Sequence, residues 1–186
     1  MTSEQSIKVL VVGPKKSGKS AICNFLSGYK EFSNEYRPTM GLRICECERE
    51  MPSMEKVSVE LWDVSGDRNF ENCWPAIMKD VSACLIVYNP SNINHVKELE
   101  FWYKTFVQGC KLKDENCCIF AHCTSSEDLT KENPIPKLPK SMTKINAILT
   151  NLDIPDKEKI FGSFDRLVQN GWREQKESEE KMVLQQ

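Results

Sequence analysis

No run of this 186-residue sequence is apolar for long enough to cross a bilayer. The longest apolar runs, such as "ACLIVY" at 83–88, fall far short of the roughly 20 residues that a spanning helix needs. Charge of one sign is not in excess either. A net charge of −2 argues against general nucleic-acid binding, which needs a basic surface. The opening "MTSEQS" lacks the apolar segment of a secretory signal, so the expected compartment is the reducing cytosol. There the nine cysteines, an odd number, are expected as mostly free thiols. A zinc reading would draw on Cys45 and Cys47 with His122 and Cys123, but C-x-C without a second matched pair is a poor zinc signature. Lipid signals are missing as well. Residue 2 is Thr2 rather than glycine, and "MVLQQ" at the end holds no cysteine to prenylate. No direct membrane anchor is expected, and a protein partner would have to carry the chain to any membrane-bounded place.

What is present is an ordinary globular composition, 40% apolar and 28% charged, with no internal repeat and no linker. Residues 7–12 are short, β-branched and apolar on both faces, as in a buried strand. "KSAICNFLS" at 19–27 has helical spacing, with Ile22, Phe25 and Leu26 on one face and Gly28 at its end. Residues 29–40 show no period and read as loop. The stretches 42–48 and 57–61 alternate apolar and polar, and "REMPSME" between them suits a hairpin connection. Strands are expected again at 83–88, 117–123 and 145–149, with helices at 95–107 and 156–170. The stretch 124–140, with Pro134, Pro136 and Pro139, reads as a long loop, and the charged residues 172–186 as a flexible tail after a domain spanning 1–171. Strands alternating with helices predict an α/β fold, a mostly parallel six-stranded sheet with helices on both faces.

"GPKKSGKS" at 13–20 meets the pattern G-x-x-x-x-G-K-[ST] through Gly13, Gly18, Lys19 and Ser20. In such a loop backbone N–H groups wrap a phosphate while the next helix aims its positive end at the same anion. Gly18 permits close approach, Lys19 reaches the β- and γ-phosphates, and Ser20 offers a hydroxyl to Mg²⁺. The loop follows a predicted strand and opens a predicted helix, which is the context the chemistry requires. Two further stretches fit it. "LWDVSG" at 61–66 ends a strand with D-x-x-G, so that Asp63 would hold Mg²⁺ through water and the Gly66 N–H would meet the γ-phosphate. "YRPTMG" at 36–41 places Thr39 where its hydroxyl can ligate the same ion.

These three stretches, in this order and spacing, resemble the Ras-like small GTPases, a branch of the P-loop NTPases, and the Rab group most closely. "ENCWPAIMKD" and "EFWYKTFVQ" look like the divergent Rab-like GTPase of the intraflagellar transport B complex. The resemblance covers roughly residues 7–170. It implies GTP or GDP with Mg²⁺ as ligands and coiled-coil subunits of a transport assembly as partners. It also implies a location in the cytoplasm, at the cilium or flagellum and its base. It implies a nucleotide-binding set of Gly13, Lys15, Lys16, Ser17, Gly18, Lys19, Ser20, Ala21, Thr39, Gly66, His122, Cys123, Ser125, Asn151 and Leu152.

The sequence departs from the family pattern at three places. After D-x-x-G the family carries a glutamine that orients the attacking water; here stands Asp67, followed by Arg68. An anionic side chain there repels developing charge on the phosphate unless metal or Arg68 offsets it, so Asp67 is a weak catalytic candidate. Lys15 and Lys16 stand where hydrolysing relatives have small residues, and their bulk can exclude an activator's arginine. They would either hold phosphate or sit solvated on the loop rim. The base-reading N-K-x-D appears as His122, Cys123, Thr124 and Ser125, with no carboxylate unless Glu127 or Asp128 bends in. At "TNL", Thr150–Leu152, a backbone N–H could still donate to guanine. Slow hydrolysis and weakened guanine binding are expected, with adenine tolerance open.

Phe70, Trp74, Ile77 and Met78 recur at helical spacing beside the site, and Trp102 and Tyr103 could extend them. They read either as a partner-docking stripe or as core. Three functions compete. One is a nucleotide-binding subunit of a transport complex, at most a weak GTPase. The second is a cycling GTPase of vesicle or ciliary trafficking, activated in trans. The third is a P-loop kinase or ATPase of another class, for which no clustered arginines are present to build a lid.

Overall fold

A computed structural model of the chain describes residues 6–29, 36–124, 138–153 and 157–184. Ser125, Glu127, Asp128, Pro134 and Pro136 lie outside the described residues. Six strands form one sheet in the order β2-β3-β1-β4-β5-β6. They are β1 (Ser6–Val12), β2 (Leu42–Glu50), β3 (Lys56–Val64), β4 (Ala83–Tyr88), β5 (Cys117–His122) and β6 (Asn146–Thr150). Every pairing is parallel except that of β2 with β3. That pair is a hairpin, turned at Met51–Glu55 with Met54 in the left-handed region.

The strand period of two sorts β1 between two cores. Val9 and Val11 face one side, with Ile22 and Leu26 of α1 (Lys19–Leu26) and Phe164, Leu167 and Val168 of α4 (Glu158–Val183). Leu10 and Val12 face the other side, with Trp74 and Ile77 of α2 (Trp74–Ile77) and Leu99 and Trp102 of α3 (Ile93–Trp102). A sheet buried on both faces needs unbroken apolar central strands, and β4 and β5 are buried at every position.

Two helices differ from the sequence expectation. The helix expected over 95–107 starts at Ile93, capped by the Asn92 side chain on the Asn94 N–H at 3.0 Å, and turns π-helical from Tyr103 to Gln108. The helix expected to stop at 170 continues to Val183. Gly171 is no stop signal. It lies where a Cβ would stand 3.0 Å from the Ser82 carbonyl oxygen, so it lets the helix pass close to the sheet. Trp172, 7% exposed, then packs into the core. Gln175 accepts from the Ser82 hydroxyl at 3.0 Å and donates to the Ser6 carbonyl at 3.4 Å.

Candidate functional site

The parallel strands end together on one side of the sheet, where open α/β folds place their ligands. The loop 13–18 leaves β1 there and opens α1. Gly18 has φ 89°, and a Cβ on it would stand 2.3 Å from Cδ2 of His122. Gly66 closes the loop from the other side: a Cβ there would stand 2.5 Å from the Lys15 nitrogen and 2.6 Å from the Pro14 carbonyl carbon. Lys16 is also left-handed, at φ 58°, with its ammonium 5.4 Å from the Tyr36 ring centroid. Three neighbouring loop positions thus hold backbone conformations or approaches that ordinary residues resist.

Lys19 crosses the inside of this loop, donating to the Gly13 carbonyl at 2.9 Å and the Pro14 carbonyl at 2.7 Å. Burial pushes its ammonium down to about 8, with the Asp63 charge opposing. Beside it the three hydroxyl and carboxyl groups singled out for metal come together. The Ser20 hydroxyl donates to Asp63 Oδ2 at 2.7 Å, Thr39 lies 3.0 Å from Ser20 Oγ, and Thr39 donates to Asp63 Oδ2 at 3.3 Å. Asp63 is fully buried and, among the described residues, its Oδ1 has no partner; the Ser17 hydroxyl in the loop is likewise buried and unpaired among them. A cluster of hard oxygens with an orphaned carboxylate oxygen suits a small hard cation such as Mg²⁺. Ser20 and Thr39 would hold the ion directly and Asp63 would receive its water. Ala21 sits half-buried in the first turn of α1.

Arg43 is a participant that spacing did not announce. Its guanidinium lies 3.3 Å from Asp63 Oδ2 and donates to the Ser20 carbonyl at 3.1 Å. The hairpin register pairs Arg43 with Asp63 directly, so the signal lay in aligning the two alternating strands about their turn.

Asp67 is not offset by Arg68. Arg68 turns away, hydrogen-bonded to Glu71 and stacked 4.3 Å from the Phe101 ring centroid. Lys15 makes the pair instead, 2.8 Å from Asp67 Oδ2, while Asp67 Oδ1 accepts the Asn69 N–H at 3.0 Å. The Lys15 hydrogen bond is the main reason the Asp67 carboxyl titrates below its usual range. Lys15 stays on the exposed rim of the loop, 57% exposed, and links the phosphate loop to the segment after Gly66.

The stripe turns partly inward, with two of its four side chains in the core. Trp74 is 6% exposed and Ile77 4%, while Phe70 and Met78 are half-buried. The Trp74 ring lies 4.9 Å from Phe106, 5.7 Å from Trp102 and 6.0 Å from Phe101, centroid to centroid. Trp102 and Tyr103 are buried too. The zinc alternative is not assembled: Cys45 and Cys47 sit on β2, at the edge of the sheet, and His122 and Cys123 at the end of β5, with three strands between.

At the base-reading end, His122 is buried, its Nδ1 3.1 Å from the Thr150 hydroxyl. Burial lowers its pKa to about 4, so the ring is neutral. The Cys123 N–H donates to the Thr150 carbonyl at 2.9 Å, which ties the ends of β5 and β6 together. Asn151 is buried and Leu152 packs on the core.

Comparison with known proteins agrees with this geometry. Residues 8–124 match the family model described as "Ras of Complex, Roc, domain of DAPkinase". An intraflagellar transport protein 22 homolog of Bos taurus is 38% identical over 184 residues, covering 95% of this chain and 97% of its own. The chain belongs to the intraflagellar transport protein 22 family. Solved structures of the family share its fold. The T. brucei IFT22/74/81 GTP-bound crystal structure superposes with a TM-score of 0.75 at 32% identity, covering 94% of this chain and 99% of that one. The T. brucei IFT22 GTP-bound crystal structure gives 0.67 at 36% identity, covering 87% and 92%. The Ras-like fold expected from the loop and D-x-x-G spacing is the one these relatives adopt.

Proposed function

We propose that the chain is a Rab-like, guanine-nucleotide-binding subunit of the intraflagellar transport B complex, acting at the cilium or flagellum and its base, with slow or no hydrolysis of its own. The observation that carries this is the convergence of Ser20, Thr39 and buried Asp63 beside Lys19, in a chain of the intraflagellar transport protein 22 family. Backbone N–H groups of the loop would cradle the β-phosphate, Lys19 would exchange its two carbonyl contacts for phosphate oxygens, and Mg²⁺ would supply charge neutralisation when bound. Slow hydrolysis is supported by the side chain that replaces the water-orienting glutamine. Asp67 cannot donate a hydrogen bond when ionised, and Lys15 and the Asn69 N–H already occupy its two oxygens.

The docking surface moves with the inward turn of Trp74. The large apolar side chains exposed beside Thr39 are Tyr36, Met40 and Ile44, 57%, 75% and 47% exposed. The first-switch flank and β2 are thus the surface we assign to coiled-coil partners, the counterpart of subunits 74 and 81 in the T. brucei complex. Single-turnover hydrolysis tests the first part. Wild-type rates near the uncatalysed level, with and without partner subunits, fit a subunit; a partner-stimulated jump would show a cycling enzyme instead. For the second part, Met40→Glu is expected to abolish co-purification with the partner subunits at unchanged melting temperature. Retained binding would move the docking face elsewhere.

A further inference from the structure

We propose that Arg43 is a built-in counter-charge for Asp63, a positioning residue that makes nucleotide binding depend less on Mg²⁺ than the hydroxyl and carboxylate cluster alone would allow. The inference rests on the nucleotide-binding reading above and concerns that site's demand for its ion.

A carboxylate taken wholly out of water needs a cation, and Asp63 is fully buried. Two cations of the chain act on it. Lys19 is committed to the loop, through the Gly13 and Pro14 carbonyls, and in the reading above passes from them to phosphate. Arg43 is the one that Asp63 keeps, its guanidinium 3.3 Å from Oδ2. The backbone arranges this meeting. The hairpin pairs Arg43 directly with Asp63, and directly opposed residues of an antiparallel pair share a face of the sheet. Along β2 the half-buried Arg43, Cys45, Cys47 and Arg49 alternate with exposed Ile44, Glu46, Glu48 and Glu50, so the register holds Arg43 on the side of Asp63. A second bond, to the Ser20 carbonyl at 3.1 Å, ties the same guanidinium to the first turn of α1.

Two buried orphans on this pair are complementary. Among the described residues, Nε of Arg43 is a donor without an acceptor, and Oδ1 of Asp63 is an acceptor without a donor. A guanidinium fork satisfies both when it meets a carboxylate in the bidentate arrangement. Oδ1 is also the oxygen left to receive the ion's water, so guanidinium and ion are alternative partners for one atom. With Mg²⁺ chelated, a bare Asp63 would repel the phosphates beside it. Arg43 closed on the carboxylate cancels much of that repulsion.

The test is calorimetric titration of the full chain with GDP, once in Mg²⁺ and once in excess EDTA. Wild type is expected to lose no more than about tenfold in affinity on chelation. Arg43→Gln and Arg43→Met keep an extended side chain without its charge. In each, chelation should cost about tenfold more than it costs wild type. Arg43→Lys returns the charge and should recover most of the wild-type ratio. A merely structural role for Arg43 would weaken binding equally in both buffers. A ratio of EDTA to Mg²⁺ affinity shared by wild type and the charge-free variants would overturn the proposal, and so would a wild-type loss well beyond tenfold. Wild type that binds no GDP even in Mg²⁺ would instead sink the nucleotide reading itself.

Discussion

Two buried bases make the site sensitive to pH in opposite ranges. Lys19 titrates near 8 in the folded chain against 10.5 ordinarily. Between those values the unfolded chain holds a proton that the folded chain has released, so this group adds stability as pH rises through the window. Phosphate binding acts the other way, since it favours the charged ammonium. Affinity for GDP is therefore expected to fall as pH passes 8, and titrations at pH 7.5 and 9.5 read the difference. His122, lowered to about 4 from 6.5, remains neutral in the fold. The unfolded chain takes up a proton below 6.5 that the folded chain refuses until about 4. Stability is thus lost as pH falls through that window. Denaturant melts of wild type and His122→Gln at pH 7 and pH 5 should show a larger acid loss in wild type, the variant keeping the share due to His95, whose pKa burial also lowers. Geometry adds a third residue-level expectation: Gly66→Ala would drive a Cβ into the Lys15 and Pro14 backbone and should abolish nucleotide binding.

At the scale of elements, the stretch from Arg68 to Met78 shows what a pattern can and cannot convey. The spacing marks a shared face correctly for Trp74, Ile77 and Met78, though not for Phe70, but a stripe carries no record of what lies opposite. The answer sits about 30 residues later, where Phe101, Trp102 and Phe106 supply rings for Trp74. Trp74→Ala is accordingly expected to cost about 3–5 kcal/mol of stability, which a denaturant melt would register. A melt indistinguishable from wild type would return Trp74 to the surface. The loop from Gly13 to Ser20 was legible for the opposite reason. Its chemistry is local, with strand, loop and helix all contained in some 20 residues, and Asp63 and Thr39 were legible through their own short stretches, D-x-x-G and the loop before β2. The pairing of Lys15 with Asp67 was not legible, because it joins loops brought together only by the fold.

For the whole molecule, the last helix is the largest departure from the sequence reading. Composition after Gly171 is that of a solvated tail, with one apolar anchor, Trp172, and one polar one, Gln175, hidden among charges. Those two anchor the helix, with Gln175 tied to Ser6 and Ser82, beside the contacts of Glu174 with Lys113 and Asn116. Truncation after Asn170 should lower stability by at least the roughly 3–5 kcal/mol of a lost buried tryptophan, measurable as a shifted denaturation midpoint.

The antiparallel hairpin leaves β2 as a rim of the sheet. Ile44, Glu46, Glu48 and Glu50 alternate along one exposed side of it. Unpaired backbone on such a rim is a template for a second copy of the same chain. Two copies meeting there would bring their glutamate rows together, and the mutual repulsion disfavours homotypic zippering.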